Sequence, residues 1–146
     1  MFSFKSNFSE NETYKAFYSC KMINLGLIGS REFVDYRVFK AAVLKVLEEW
    51  NIQLRQISHI VSGGSKGADT LAERFADEFN IRKEIYPVTK EAYALYGKSA
   101  PLRRNHLIVQ NSTHLIAFPS HKGAGTQHSI NIAKEKGIPM KILFID

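Results

Sequence analysis

A single cysteine, Cys20, excludes an internal disulfide framework and fits a reducing compartment. No apolar run approaches the roughly 20 residues that a bilayer span needs, which excludes a transmembrane helix. The first 21 residues lack a continuous apolar core and make a poor signal peptide, so a cytoplasmic location is expected. No dense cationic run occurs, although the net charge is +6 and the sequence pI is near 9.5. Lysines and arginines are spread along the chain, which weakens a duplex-DNA reading and leaves room for a phosphate ligand. The histidines at 59, 106, 114, 121 and 128 have no metal-ligand spacing, and one cysteine cannot build a zinc site. No metal is therefore expected. A nucleophile elbow is missing, and so is the Gly-Lys-Ser/Thr ending of a Walker A loop.

What remains is a chain of 146 residues, 45% hydrophobic and 23% charged, the size and composition of one globular domain. Residues 1–21 stand apart as an aromatic extension with Phe2, Phe4, Phe8, Tyr14, Phe17 and Tyr18. They are expected to pack on the domain's own surface or against another copy. From residue 22 to 146 short apolar runs alternate with amphipathic segments. Strands are predicted at Ile23–Ile28, Ile57–Val61, Lys83–Val88, His114–Phe118 and Pro139–Ile145. The first helix should be capped by Asp35 and bury Phe39, Val43, Val46, Leu47 and Trp50. The second carries Ala68, Leu71, Ala72, Phe75, Ala76 and Phe79 on one face. Residues after the third strand read as irregular until Pro101, which opens a helix to about Asn111. The last helix opens at Gly123–Thr126, turns Ile130, Ile132 and Ala133 inward, and closes on Gly137. No repeat, low-complexity tract or linker interrupts this order. Its βαβ rhythm predicts an α/β fold: a Rossmann-like, doubly wound parallel sheet of about five strands in order 3-2-1-4-5, with three layers.

In such a sheet ligands bind beyond the carboxyl ends of the strands, near the point where strand order reverses. Three strand ends carry loops suited to anions. After the first strand, Gly29 permits a tight turn, Ser30 offers a hydroxyl and Arg31 a planar fork for phosphate. After the second, Ser62, Gly63, Gly64, Ser65 and Gly67 let backbone approach an oxyanion at a helix N-terminus. Asp69, in that helix's first turn, either complements the dipole or holds a ribose hydroxyl. After the fourth strand, Gly123, Gly125 and Thr126 repeat the device, and His121 and His128 flank it. A fourth element contains Tyr93, Tyr96, Lys98, Arg103, Arg104 and Asn105. Adjacent arginines at a helix start oppose its dipole, a cost that a bound anion would offset. The tyrosines either cover core or stack on a base, and His114, inside a strand, reads as structural.

Taken together, these segments resemble the SLOG superfamily, the Rossmann-like domains of the DprA, LOG and YspA/YpsA proteins, over about Ile23–Ile142. The YspA-like branch is matched best, through Gly29-Ser30-Arg31-Glu32-Phe33, Ser62-Gly63-Gly64 with Gly67-Ala68-Asp69, Tyr96-Gly97-Lys98, Arg104-Asn105, Ile116-Ala117-Phe118 and Gly125-Thr126. The resemblance implies binding of a nucleotide-derived molecule, such as an ADP-ribose, NAD or cyclic-nucleotide type. Relatives of the LOG branch hydrolyse an N-glycosidic bond with the Glu of Pro-Gly-Gly-x-Gly-Thr-x-x-Glu. Ser129 stands at that position here. Serine cannot replace a carboxylate that stabilises an oxocarbenium-like centre or activates water. The family's arginine aligns best with Arg104, with Arg103 one position away.

The leading expectation is a module that senses, carries or sequesters a phosphate-bearing, nucleotide-derived ligand, with no cofactor required. An N-glycosidase is the first alternative, using Glu32 or Asp69 as its carboxylate with Arg104. Single-stranded nucleic-acid binding of the DprA type is the second. A homo-oligomer, dimeric or larger, is the expected assembly.

Overall fold

The computed structural model describes residues 23–146, so the aromatic extension lies outside the described residues. Five strands are present: β1 (Ile23–Gly29), β2 (Ile57–Ser62), β3 (Arg82–Ile85), β4 (His114–Phe118) and β5 (Met140–Ile142). All neighbours pair in parallel in the order β3-β2-β1-β4-β5, the Rossmann-like topology that the βαβ rhythm predicts. Order reverses between β1 and β4, whose register runs from Leu25 opposite His114 to Gly29 opposite Phe118. Helices α1 (Tyr36–Glu49) and α2 (Ala68–Glu78) lie on one face, and α4 (Ala100–Gln110) and α5 (Gly125–Lys136) on the other.

Strand alternation divides the core. Leu25, Leu27, Ile60 and Ile116 face α1 and α2, while Ile28, Val61, Leu115 and Ala117 face α4 and α5. Central parallel strands are covered on both sides, which is why they read as continuous apolar runs rather than alternating ones. Phe39 of α1 is fully buried, 5.0 Å from the Phe118 ring and 6.4 Å from Phe75, and locks α1 to β4 and α2. Asp35 caps α1, its carboxylate accepting the Val38 N–H at 3.2 Å. A second tie joins α1 to α2 near the surface, where the Tyr36 hydroxyl donates to Glu78. Burial and that carboxylate push the Tyr36 pKa up to about 12. The His114 ring meets Trp50 tilted, with centroids 5.2 Å apart, at the strand end away from the topological switch, and burial lowers its pKa.

Three boundaries differ from expectation. β3 stops at Ile85 rather than Val88, because Pro87 has no N–H; the Tyr86 N–H makes the last bond, 2.9 Å to the Ser62 carbonyl. The stretch read as irregular holds a helix, α3 (Lys90–Tyr96), capped by the Thr89 hydroxyl at 3.0 Å from the Ala92 N–H. None of its residues is buried, so it carries no apolar stripe to reveal it. β5 is three residues long rather than seven, although Leu143 and Ile145 still donate to the Ala117 and Pro119 carbonyls at 2.9 and 3.0 Å. Gly137 ends α5 in the left-handed conformation, as expected of a C-cap. No helix among the described residues is long and apolar enough to cross a membrane.

Candidate functional site

A cleft of about 920 Å³ opens at the carboxyl ends of β1, β4 and β5. Of the expected site residues, Gly29, Ser30, Arg31, Glu32, Ser65, Asp69, Arg104, Asn105, Gly123, Gly125 and Thr126 line it. Ile28, Pro101, Leu102 and Ile108 add apolar surface between the polar groups. The topology thus joins the loops after β1 and β4 with the start of α4 around one space. The loop after β2 reaches it only through Ser65 and Asp69.

That second loop is largely occupied by the protein itself. Asp69 is buried, with 6% exposure. One carboxylate oxygen lies 3.0 Å from the Ser62 hydroxyl, and the other accepts the Ser65 N–H at 3.1 Å. Burial raises the Asp69 pKa, and the Ser65 N–H, the Ser62 hydroxyl and the Arg104 charge partly reverse the rise. The first N–H of α2, from Ala68, donates to the Ser30 carbonyl at 3.0 Å. An incoming anion would therefore have to displace a carboxylate that already serves the loop.

Arg104 is the other half of this arrangement. Its guanidinium donates at 2.7 Å to the Gly63 carbonyl and at 3.1 Å, through Nε, to the Asn105 side-chain oxygen. A Cβ at Gly63 would sit 2.6 Å from Arg104 Nη1 and 2.9 Å from Asp69 Oδ2. Gly63 is a glycine so that Arg104 can pass. Gly67 has a similar reason, since a Cβ there would lie 2.4 Å from the Ser30 carbonyl oxygen. Burial lowers the Arg104 pKa, Asp69 opposes the shift, and the like charge of Arg31 adds to it. Both arginines carry guanidinium groups, which donate hydrogen bonds and accept none. Neither makes an ion pair among the described residues.

The loop after β4 differs in kind. Cβ atoms at Gly123 and Gly125 would meet nothing within 4 Å. The N-cap of α5, Ala124, offers no side-chain oxygen, and the first turn contains no acidic residue. Its N-terminal N–H groups and dipole therefore face the cleft without a carboxylate from the helix's own first turn. Asp146 holds the approach to this turn from beyond β5. Its carboxylate accepts the Ser120 hydroxyl at 2.6 Å and the His121 N–H at 3.0 Å. These bonds, with the Ser120 hydroxyl first, hold the Asp146 pKa down at about 2. His121 contacts the same carboxylate and stacks at 3.9 Å on Phe144.

The remaining expected residues lie elsewhere. Ser62, Gly63, Gly64 and Gly67 shape the cleft's supporting loop without lining it, and Tyr96, Lys98 and Arg103 are outside. The Arg103 guanidinium lies over the Tyr96 ring at 4.0 Å, so these two exposed residues use one another. Of the two arginines it is Arg104 that lines the cleft. Ser129 is buried, with 3% exposure, at the α5 edge of the cleft. Ser120, in the loop after β4, and Asp146 carry no signal in the sequence: Asp146 brings a fourth strand end, that of β5, to the cleft, and nothing in its composition marks it as a loop for anions.

No family model matches the chain, and no solved structure matches it. Gene 61 protein of Mycobacterium phage D29 is 35% identical over 86 residues, which cover 56% of this chain and 67% of the phage protein. On that likeness the chain belongs to the family of this phage Gene 61 protein.

Proposed function

We propose that the chain binds a phosphate-bearing, nucleotide-derived small molecule in this cleft and holds it rather than cleaving it. One observation carries the reading. The open N-terminus of α5 faces the same cleft as Arg31 and Arg104, two guanidinium groups without ion-pair partners among the described residues. A helix N-terminus and unpaired arginines both favour negative charge, and arginine's fork suits phosphate oxygens. The cleft volume falls within the range of small-molecule sites, and its apolar members supply a surface for a base or ribose. The resemblance to SLOG domains points to the same ligand class, while the geometry stands without it.

Holding is favoured over hydrolysis because of the carboxylates. Ser129 occupies the turn where a LOG-type acid would stand. Both Asp69 oxygens are engaged within the protein, which leaves neither free to activate water. Of the other carboxylates at the cleft, Asp146 is bound through both oxygens to Ser120 and His121, and Glu32 stands exposed at the rim.

Calorimetric titration against ADP-ribose, NAD, cyclic dinucleotides and nucleoside monophosphates tests the reading. Arg31 is exposed and makes no side-chain bond among the described residues, so Arg31→Ala removes a cation with little structural loss. Binding by the wild type, weakened about tenfold or more in Arg31→Ala, is expected. Silence across the panel, or equal affinity in the variant, would refute it.

A further inference from the structure

We propose that His128 is a ligand-contacting hydrogen-bond donor, fixed in its Nε2–H tautomer by a relay that runs from Arg104 through Asn105. This rests on the cleft being a ligand site, but the relay has its own chemistry. Asn105 is buried, with 8% exposure, at the junction of α4, α5 and the loop after β2. Its side-chain oxygen accepts from Arg104 Nε at 3.1 Å, and its nitrogen lies 3.2 Å from His128 Nδ1.

The direction of the relay follows from one fact: an arginine N–H can only donate. The Asn105 atom facing Arg104 must therefore be the carbonyl oxygen. The other end of the amide, its NH₂, is then fixed toward His128, and an NH₂ group can only donate. His128 Nδ1 has to accept, so the proton of the neutral ring resides on Nε2. Turning the amide over would set NH₂ against the Arg104 N–H and lose that bond. Arg104 is itself tethered to the Gly63 carbonyl, so it cannot follow.

Nε2 makes no hydrogen bond among the described residues, and His128 lines the cleft from the first turns of α5. Among the described residues its ring neighbour is the exposed His106, which meets it edge to face at 5.5 Å and takes no hydrogen bond from it. A donor is thus presented beside a helix N-terminus and opposite two arginines. The same contact assigns Asn105 a new role. It is a positioning residue, with its oxygen committed to Arg104 and one of its two N–H donors to His128.

Histidine-selective ¹⁵N NMR near neutral pH reads the tautomer, with His128 assigned by the signal lost in His128→Gln. In the free protein Nδ1 should be pyridine-like and Nε2 pyrrole-like. Asn105→Ala should give a mixture of tautomers. Asn105→Asp should reverse them, because a carboxylate accepts from Nδ1–H. ADP-ribose affinity should fall about tenfold or more in His128→Leu and Asn105→Asp, yet survive in His128→Gln, whose amide N–H₂ reaches a similar position. A pyrrole-like Nδ1 in the wild type overturns the relay. Unchanged ADP-ribose affinity in both His128→Leu and Asn105→Asp overturns the donor role while the cleft reading stands. A wild type that binds no member of the ligand panel overturns the cleft reading and the donor role together, and the tautomer measurement then judges the relay alone.

Discussion

The seam between the loops after β1 and β2 is the most demanding part of the site, and Gly67→Ala probes it directly. Gly67 has φ 73° and ψ −126°, a region that residues with a Cβ rarely adopt. Backbone strain of this kind costs about 1–3 kcal/mol. A Cβ would also lie 2.4 Å from the Ser30 oxygen and 2.5 Å from both the Arg31 carbonyl carbon and Cα. These are backbone atoms held by the Ala68 N–H bond to Ser30, so they cannot swing aside. Overpacking adds about 1–3 kcal/mol. Taking about 4 kcal/mol in total and an m value of about 2 kcal/mol/M, the urea midpoint should fall by about 2 M. Gly97→Ala separates the two contributions. Gly97 has φ 57° and ψ −133°, but a Cβ there meets nothing within 4 Å. Strain alone should lower its midpoint by about 1 M. Urea unfolding followed by circular dichroism measures both variants. A midpoint for Gly67→Ala no lower than that of Gly97→Ala would refute the close approach of the two loops.

Two further outcomes follow from single side chains. Because burial raises the Asp69 pKa in the folded state, its contribution is largest below the ordinary carboxylate range and is lost as pH rises through the raised value. Asp69→Asn keeps an acceptor for the Ser65 N–H and gains a donor for the Ser62 oxygen, so its stability relative to wild type should improve from pH 4 to 7. Parallel urea-midpoint curves for the two proteins would contradict the raised pKa. Asp35→Ala removes the cap on the Val38 N–H and should cost about 1 kcal/mol, or about 0.5 M in urea midpoint. An unchanged midpoint would show that the cap contributes nothing.

The sequence was most legible where burial leaves the chain no choice. β4 is legible at His114–Phe118 because both faces of that strand are covered and Pro119 follows at once. At the sheet edges the pattern misled. Tyr86 and Val88 look like strand residues, yet β3 has one neighbour among the described strands, and Pro87 removes the donor that would extend the ladder. α3 is illegible in the sequence because its seven residues bury nothing, and a periodicity read from burial cannot register such a helix. Thr89, whose hydroxyl caps it, was a sign that could have been used. In the site, the loops could be found from glycine, hydroxyl and arginine content. The partners could not, since Asn105 and His128 are 23 positions apart and meet only when α4 packs against α5.

The harder limit is that glycine-rich loops of two different kinds look the same in one dimension. Both the loop after β2 and the loop after β4 place small residues before a helix, and both suggest an anion grip. The space a Cβ would occupy separates them. At Gly63 and Gly67 it is filled by Arg104, Asp69 and the Ser30–Arg31 backbone, so those glycines permit contact within the protein. At Gly123 and Gly125 it is open. The helix mouths divide in the same way: α2 carries Asp69 in its first turn, whereas α5 carries no acid there. A carboxylate at a helix N-terminus does for the dipole what a bound phosphate would do, and the two compete for one place. On the proposed reading the loop after β2 is the strut that sets Arg104, and through Asn105 the His128 ring, while the start of α5 is where the anion would bind. On this division of labour, an acid introduced at Thr126→Asp should fill the open mouth as Asp69 fills the other, stabilise the helix by a few tenths of a kcal/mol and weaken ligand binding. A variant that binds ADP-ribose as tightly as the wild type would show that the anion sits elsewhere.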